Sequence, residues 1–384
     1  MPVLDQAQMQ RYVQALKKEL EWIEPGTPVS QFFIGGGTPT ALPPELLDEV
    51  LEAISARMPY VPGKVHTVEA SPDSVSATHL KVLSARGVGR ISMGIQSMQD
   101  GVLESVRRDH GKEVALEACH RIVDAGFILN VDLMYGLPGQ DEAGFRQDFR
   151  IAAESGVHSV TAYSLRLSEK TAIARQLSPD ERFNLERLMR WRALVRETAA
   201  EFGFVQTRWH TFKRADSVAS RHQRLPTSGA DFRGFQLGIG MNARSSLNHS
   251  VYRNHKNIVT YMDRIESGKS PVEEVIRLSV NDLKTLYITR TLGDGHGMQL
   301  PDYERTFGIS WQQDHGDTMQ RLLRGGLLET NGSQLAMTET GKLLYDMVTL
   351  AFYPSQVRVW LLDQLKTYQI DGVAIEPVRV IAGK

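Results

Sequence analysis

Between residues 31 and 165 one alternation repeats five times: a short apolar run, an abrupt glycine-rich or polar stop, then a stretch of helical period. The runs are QFFI, VHTVEAS, RISMGIQS, ILNVDLMYG and HSVTAYSL. None leads straight into a tight hairpin turn, so successive strands run the same way, with a helix crossing between them. The pattern predicts a parallel sheet covered by helices. In such sheets binding chemistry gathers at the carboxyl ends of the strands. Those ends read GGGTP, EASP, GIQS, DLMYGLPG and YSL.

The flanks fit the same plan. Residues 7–24 predict an amphipathic helix, with Tyr12, Leu16, Leu20 and Ile23 on one face and Pro25-Gly26 ending it. Helices are expected over 43–58, up to Gly87, twice within 101–126, and after Gln140. Ser178-Pro179-Asp180 starts a charged helix reaching about residue 203. Residues 204–250 carry a weaker pattern, and a helix follows around 256–267. Beyond about 277 come helices near 281–292 and 311–325, then two short strands around Asn331-Gly332, a hairpin signal, and another helix. That order is a winged-helix layout. From 281 onward the chain has 10 basic and 12 acidic residues, whereas a DNA-reading wing is basic, so a packing or lid module is expected and no nucleic-acid partner. Three units are expected: 1–175, 176–275 and 276–384.

A net charge of −1 gives no electrostatic case for binding an anionic membrane. No apolar run is long enough to span one, and MPVLDQAQMQRY has no secretory pattern, so a cytoplasmic location is expected. Of 384 residues one is cysteine, Cys119, within the helical stretch GKEVALEACHRIVDAGF. It reads as a small buried hydrophobe, and a cluster held mainly by cysteines of these residues is excluded.

FFIGGGTPTAL, TVEASPDS, GVGRISMGIQSM, RRDHG and NVDLMYGLPGQ follow one another in an order and spacing that resemble the oxygen-independent coproporphyrinogen III oxidase-like (HemN/HemW) branch of the radical SAM superfamily. The likeness is strong over residues 7–170 and weaker beyond. It implies an α/β fold, a partial (β/α)6 TIM-like barrel whose first strand is missing, with a C-terminal winged-helix-like domain. It implies S-adenosylmethionine (SAM) as cofactor. Gly36, Gly37 and Thr38 would meet its amino group, and a tight β–α turn is the competing reading of the glycines. Glu69 would face its cationic part, and a helix cap is the competing reading there. Gln96 would give polar contacts. Arg108, favoured over Arg107, would fork onto the SAM carboxylate. Asp132 would take the ribose hydroxyls, and Ser164 with 238–244 would complete the adenosine pocket. Trp209-His210 reads either as the lining of a pocket for a flat ligand or as a core pair. Ser220-Arg221-His222-Gln223 matches only part of a haem-chaperone signature.

The resemblance also implies a [4Fe–4S] cluster on a Cys-x3-Cys-x2-Cys loop ahead of the first helix. These residues contain no such loop. An upstream start or trimming is the first expectation, a cluster-free relative the second, and a loop from a partner chain the third. The gap is expected to leave a strand edge unpaired and the apolar face of helix 7–24 uncovered. With a cluster supplied, the implied activity is radical oxidative decarboxylation or methyl transfer on a tetrapyrrole or other planar natural product, with an electron donor such as flavodoxin. Without it, the implied role is SAM or haem binding without turnover.

Overall fold

In the computed structural model, residues 4–165, 185–215, 235–247, 249–293 and 297–367 are described. The five apolar runs form β1 (Phe33–Ile34), β2 (His66–Ala70), β3 (Val88–Gln96), β4 (Ile128–Tyr135) and β5 (Ser159–Ser164), hydrogen-bonded in that order and all parallel. The segment left open by sequence, 204–214, is a hairpin of β6 (Phe204–Gln206) and β7 (Thr211–Arg214). It extends the sheet to seven strands, with β7 antiparallel to β5. Helices α1 (Gln6–Leu20), α2 (Pro44–Arg57), α3 (Ala77–Ala85), α4 (Asp100–Ser105), α5 (Lys112–Asp124) and α6 (Glu142–Glu154) supply the crossings. The parallel sheet with covering helices is the partial barrel expected from sequence.

Alternation along the strands sorts the side chains into two faces. Val68, Ile91, Met93, Leu129, Val131, Leu133, Val160 and Phe212 are buried on the helix-covered face. Cys119 lies there too, fully buried, and burial pushes its thiol up to about 11. The opposite face is polar: Glu69, Ser92, Asn130, Asp132, Ser159 and Thr161 line up across β2 to β5 through the register.

Helix α1 departs from expectation. Its apolar face is covered, not bare. Val13 packs with Leu46 and Val50 of α2, and Ala15 packs with Tyr261, Met262 and Ile265 of the Ile258–Glu266 helix. Three strands unforeseen in the sequence, β8 (Arg244–Leu247), β9 (Ser250–Asn254) and β10 (Val272–Arg277), form an antiparallel sheet that accompanies this helix. The junction is polar at its centre. Glu19 is buried on α1 and accepts hydrogen bonds from the Gly240 N–H (2.8 Å), Asn254 Nδ2 (2.8 Å) and the Tyr261 hydroxyl. Arg11 reaches Asp263 and Glu266 at the rim. Among the described residues β1 forms one edge of the seven-stranded sheet.

The C-terminal part has its own core, built around Tyr287, Ile288, Tyr303, Trp311, Leu335 and Val348. Its order is helix Val280–Gly293, β11 (Met298–Gln299), helices Leu300–Phe307 and Trp311–Arg324, then β12 (Leu328–Thr330) and β13 (Gln334–Met337). The strands pair β11–β13–β12. This is a winged-helix arrangement, and the Leu300–Phe307 helix and β11 are additions to the sequence reading. Gly332 turns the wing at φ 95°, and Asn331 Oδ1 accepts from the Gln334 N–H at 2.9 Å. No described helix is long and apolar enough to cross a membrane.

Candidate functional site

The carboxyl ends of β1 to β4 converge on one charged group of side chains. Glu69, near the end of β2, passes directly beneath the glycine turn. A Cβ on Gly35 would lie 2.5 Å from the Glu69 Cδ, so only glycine permits the approach. The Gly36 N–H, at φ 88°, donates to Glu69 Oε2 at 2.9 Å. Burial holds the Glu69 carboxyl above the usual range and the Gly36 donor opposes it. Gly37 and Thr38 are exposed in the same turn, and Thr38 opens a short 3-10 segment, Pro39–Ala41.

Next along the sheet, β3 ends in a bulge between Gly94 and Gln96, and Gln96 is held at φ 76°. A Cβ on Gly94 would lie 3.0 Å from Gln96 Nε2 and 3.5 Å from Arg108 Nη2. Both side chains therefore cross the strand over the missing side chain, beside Asp132, the register partner of Gly94. Arg107 is exposed while Arg108 is half-buried, so of the two it is Arg108 that turns to the sheet end. Arg107, at φ 57°, makes the turn that delivers it. The Arg108 guanidinium has no hydrogen bond or ion pair among the described residues. It feels Asp73, Asp109 and Asp132 only through space, and burial weakens its hold on its proton.

Asp132 is the most perturbed acid of the group. Burial and the Glu69 charge push it up to about 6, against donation from Asn130 (2.8 Å), the Arg90 charge and a Thr161 hydrogen bond.

Ser164 is not brought to this group. It pairs in register with Tyr135, on the helix-covered face, and bonds that hydroxyl. Thr161 and Tyr163 are the β5 residues on the Asp132 face. Gly238 and Gly240 lie against other partners: the Gly238 N–H donates to Ser245 Oγ and that of Gly240 to Glu19. Trp209 stacks on Tyr345 at 4.3 Å, and His210 Nε2 is 2.8 Å from the Tyr345 hydroxyl. That pair therefore packs the junction with the C-terminal part. The segment 220–223 and the helix start at 178–180 lie outside the described residues.

Two residues missed by the sequence reading hold the site in place. Asn130 is 1 % exposed and sits two residues before Asp132 on the same face. Asp148 of α6 is fully buried and accepts from Ser97 Oγ (2.8 Å), the Met98 N–H (3.0 Å), Gln99 Nε2 (3.2 Å) and Gln140 Nε2 (3.2 Å). It thereby ties the loops after β3 and β4 to one helix. For Asp148 the available signal was a charged residue on the otherwise apolar stripe of α6; for Asn130 it was a polar residue two before Asp132 in an apolar run.

Residues 5–152 match the family model described as the radical SAM superfamily. An oxygen-independent coproporphyrinogen III oxidase from Synechocystis is 25 % identical over 366 residues, covering 89 % of this chain and 78 % of the relative. The haem chaperone HemW of Bacillus subtilis is 27 % identical over 349 residues, covering 89 % and 90 %. The solved structure of coproporphyrinogen III oxidase (HemN) from Escherichia coli, a radical SAM enzyme, superposes with a TM-score of 0.80 at 21 % identity, over 91 % of this chain and 85 % of that one. The fold is thus that of HemN, residues 5–152 are a radical SAM domain, and the chain resembles the oxygen-independent coproporphyrinogen III oxidase and HemW branch of that superfamily.

Proposed function

We propose that this chain binds SAM across the carboxyl ends of β1 to β4. One observation carries the reading: a half-buried carboxylate under a glycine turn, a half-buried guanidinium unpaired among the described residues and a second half-buried carboxylate lie along one sheet end. That charge order complements a ligand bearing an ammonium, a carboxylate and a vicinal diol. Glu69 and the Gly36–Thr38 turn would meet the cationic part, with Arg108 on the carboxylate. Gln96 would add a polar contact and Asp132 would take the ribose hydroxyls.

When bound by three thiolates, a [4Fe–4S] cluster supplies the electron for radical chemistry in this superfamily. The residues here do not fit that group. The one cysteine is buried in the α5 core on the helix-covered side of the sheet. Radical decarboxylation or methyl transfer on a tetrapyrrole or other planar natural product is proposed only with thiolates supplied from beyond these residues. By themselves they support cofactor binding without turnover, as in a haem-chaperone-like role.

Titration calorimetry with SAM tests the first part. Saturable one-to-one binding is expected, at least tenfold weaker in Glu69→Gln, because a hydrogen bond to a charged group contributes roughly 1.5–3 kcal/mol. Absence of saturable binding overturns it. Iron and sulfide reconstitution tests the second part: a stoichiometric [4Fe–4S] cluster on the 384 residues would overturn it.

A further inference from the structure

The polar face of the sheet contains one side chain with every hydrogen-bonding position used. Asn130 Nδ2 donates to Ser92 Oγ at 3.0 Å and to Asp132 Oδ1 at 2.8 Å. Its Oδ1 accepts from Ser159 Oγ at 2.8 Å and lies 3.1 Å from Thr161 Oγ1, whose one proton it shares with Asp132. The four bonds span three neighbouring strands, since Ser92 and Ser159 are the register partners of Asn130 on either side. Burying an amide so completely is costly unless all its positions are filled, and here they are.

The orientation is unique. Turning the amide over would set its carbonyl against the Asp132 carboxylate and its NH2 against the two hydroxyls of β5. The Asp132 carboxylate, which can only accept, therefore selects this orientation, and the hydroxyls of Ser159 and Thr161 complete it on the Oδ1 side. This fixes one carboxylate oxygen, and with Thr161 as its other hydrogen-bonding neighbour the carboxylate keeps acceptor capacity to spare.

We infer that Asn130 is the positioning residue for Asp132, and that the Ser92–Asn130–Ser159–Thr161 clamp makes this end of the sheet selective for a ligand with two vicinal hydroxyls. The inference rests on the SAM reading of the site and assigns its diol selectivity to a residue that never touches the ligand. A carboxylate accepts two hydroxyl protons only when ionised and correctly turned. The charged groups facing Asp132 pull in both directions. Glu69 on β2 opposes its ionisation, while Arg90 on β3 and Arg108 from the next loop favour it. On β5 the facing residues are Ser159, Thr161 and Tyr163, with no formal charge, and Lys213 of β7 lies beyond Ser159. The Asn130 donor is the largest of the groups that keep Asp132 an acceptor close to neutral pH, ahead of Arg90 and Thr161.

The test uses the full chain, S-adenosylhomocysteine and its 2′-deoxy analogue as probes, and Asn130→Ala and Ser159→Ala as variants. In the unmodified chain the ribose compound should bind about tenfold tighter than the deoxy analogue. Binding should fall as pH drops through about 6. Asn130→Ala should remove the discrimination and move the pH midpoint upward. Ser159→Ala, which keeps the amide but loosens it, should do so in part, and it serves if Asn130→Ala does not fold. The Asp132 side-chain carboxyl carbon, assigned by its loss in Asp132→Asn, is titrated by NMR in the same proteins without ligand. Discrimination and pH midpoint unchanged in both variants would overturn the inference and leave SAM binding intact. Absence of binding by the unmodified chain would overturn the SAM reading instead. The carboxyl titration would then still decide whether Asn130 holds Asp132, and an unmoved midpoint overturns the inference.

Discussion

Asp132→Asn should make this protein more stable while weakening ligand binding. A carboxyl raised from 3.8 to about 6 binds its proton more tightly folded than unfolded. Folding is therefore favoured by the protonated form, and stability falls as pH rises from the ordinary carboxylate range through about 6. The size of the penalty follows from the shift: each unit is about 1.4 kcal/mol, so the ionised carboxylate costs about 3 kcal/mol at neutral pH. Asparagine removes the charge, keeps the shape and still offers an oxygen to Asn130 Nδ2. The variant should gain close to that amount at about pH 7.5, roughly half of it at pH 5, and roughly a fifth of it at pH 4. Urea denaturation followed by far-UV circular dichroism at the three pH values measures this, with the m-value checked for constancy. A gain independent of pH, or a loss of stability at neutral pH, would refute the reasoning. Such stability forgone for a charged acceptor is expected of binding sites.

Asp148→Ala leaves Ser97 Oγ, the Met98 N–H and the Gln99 and Gln140 amides without their common acceptor. It should cost about 3 kcal/mol or more, read by the same denaturation; a loss below about 1 kcal/mol would show the loops rearranging to find other partners. Arg192 joins the sheet part to the C-terminal part. It donates to Asp346 Oδ2 (2.8 Å) and the Leu343 carbonyl (2.6 Å), and its guanidinium lies 4.4 Å from the Tyr345 ring centre. Asp346 is partly exposed, so Arg192→Met should cost about 2 kcal/mol, and calorimetry should resolve the single melting transition into two.

The strand ends were legible because their signals are local. Each apolar run stops at glycine or polar residues within a few positions, whereas the charged residues of the site were named from the family resemblance and the bulge at Gly94–Gln96 was not read. Ser164 shows where that stops. Which face a strand-end residue takes depends on register, and a shift of one position exchanges Tyr163 for Ser164. The three strands around the Ile258–Glu266 helix, which the sequence did show, were illegible for a different reason. They are short, β10 is mostly exposed and mixes apolar with charged residues without clean alternation, and the end of β9 is anchored to Glu19 of α1, over 200 residues away.

Three residues between these cases share one signature that a sequence can carry. Glu19 lies on the Leu16–Leu20 stripe of α1, Asp148 on the Phe145–Phe149 stripe of α6, and Asn130 inside the apolar run of β4. Glu19 and Asp148 are polar where the helical period calls for an apolar residue, Asn130 is the uncharged polar residue of a strand otherwise apolar up to Asp132, and each is buried. In the structure each is satisfied by donors or acceptors from segments distant in sequence. Asp132 and Arg108 differ in a way the sequence does not show. Asp132 keeps acceptor capacity to spare, and Arg108 has no hydrogen-bonding or ion-pair partner among the described residues. A buried polar side chain with its bonding capacity used up is an anchor. One that is half-buried with capacity left over, at the carboxyl end of a parallel strand, is placed for a ligand. By that criterion Asn130 and Asp132, two residues apart on one strand, divide the work between them.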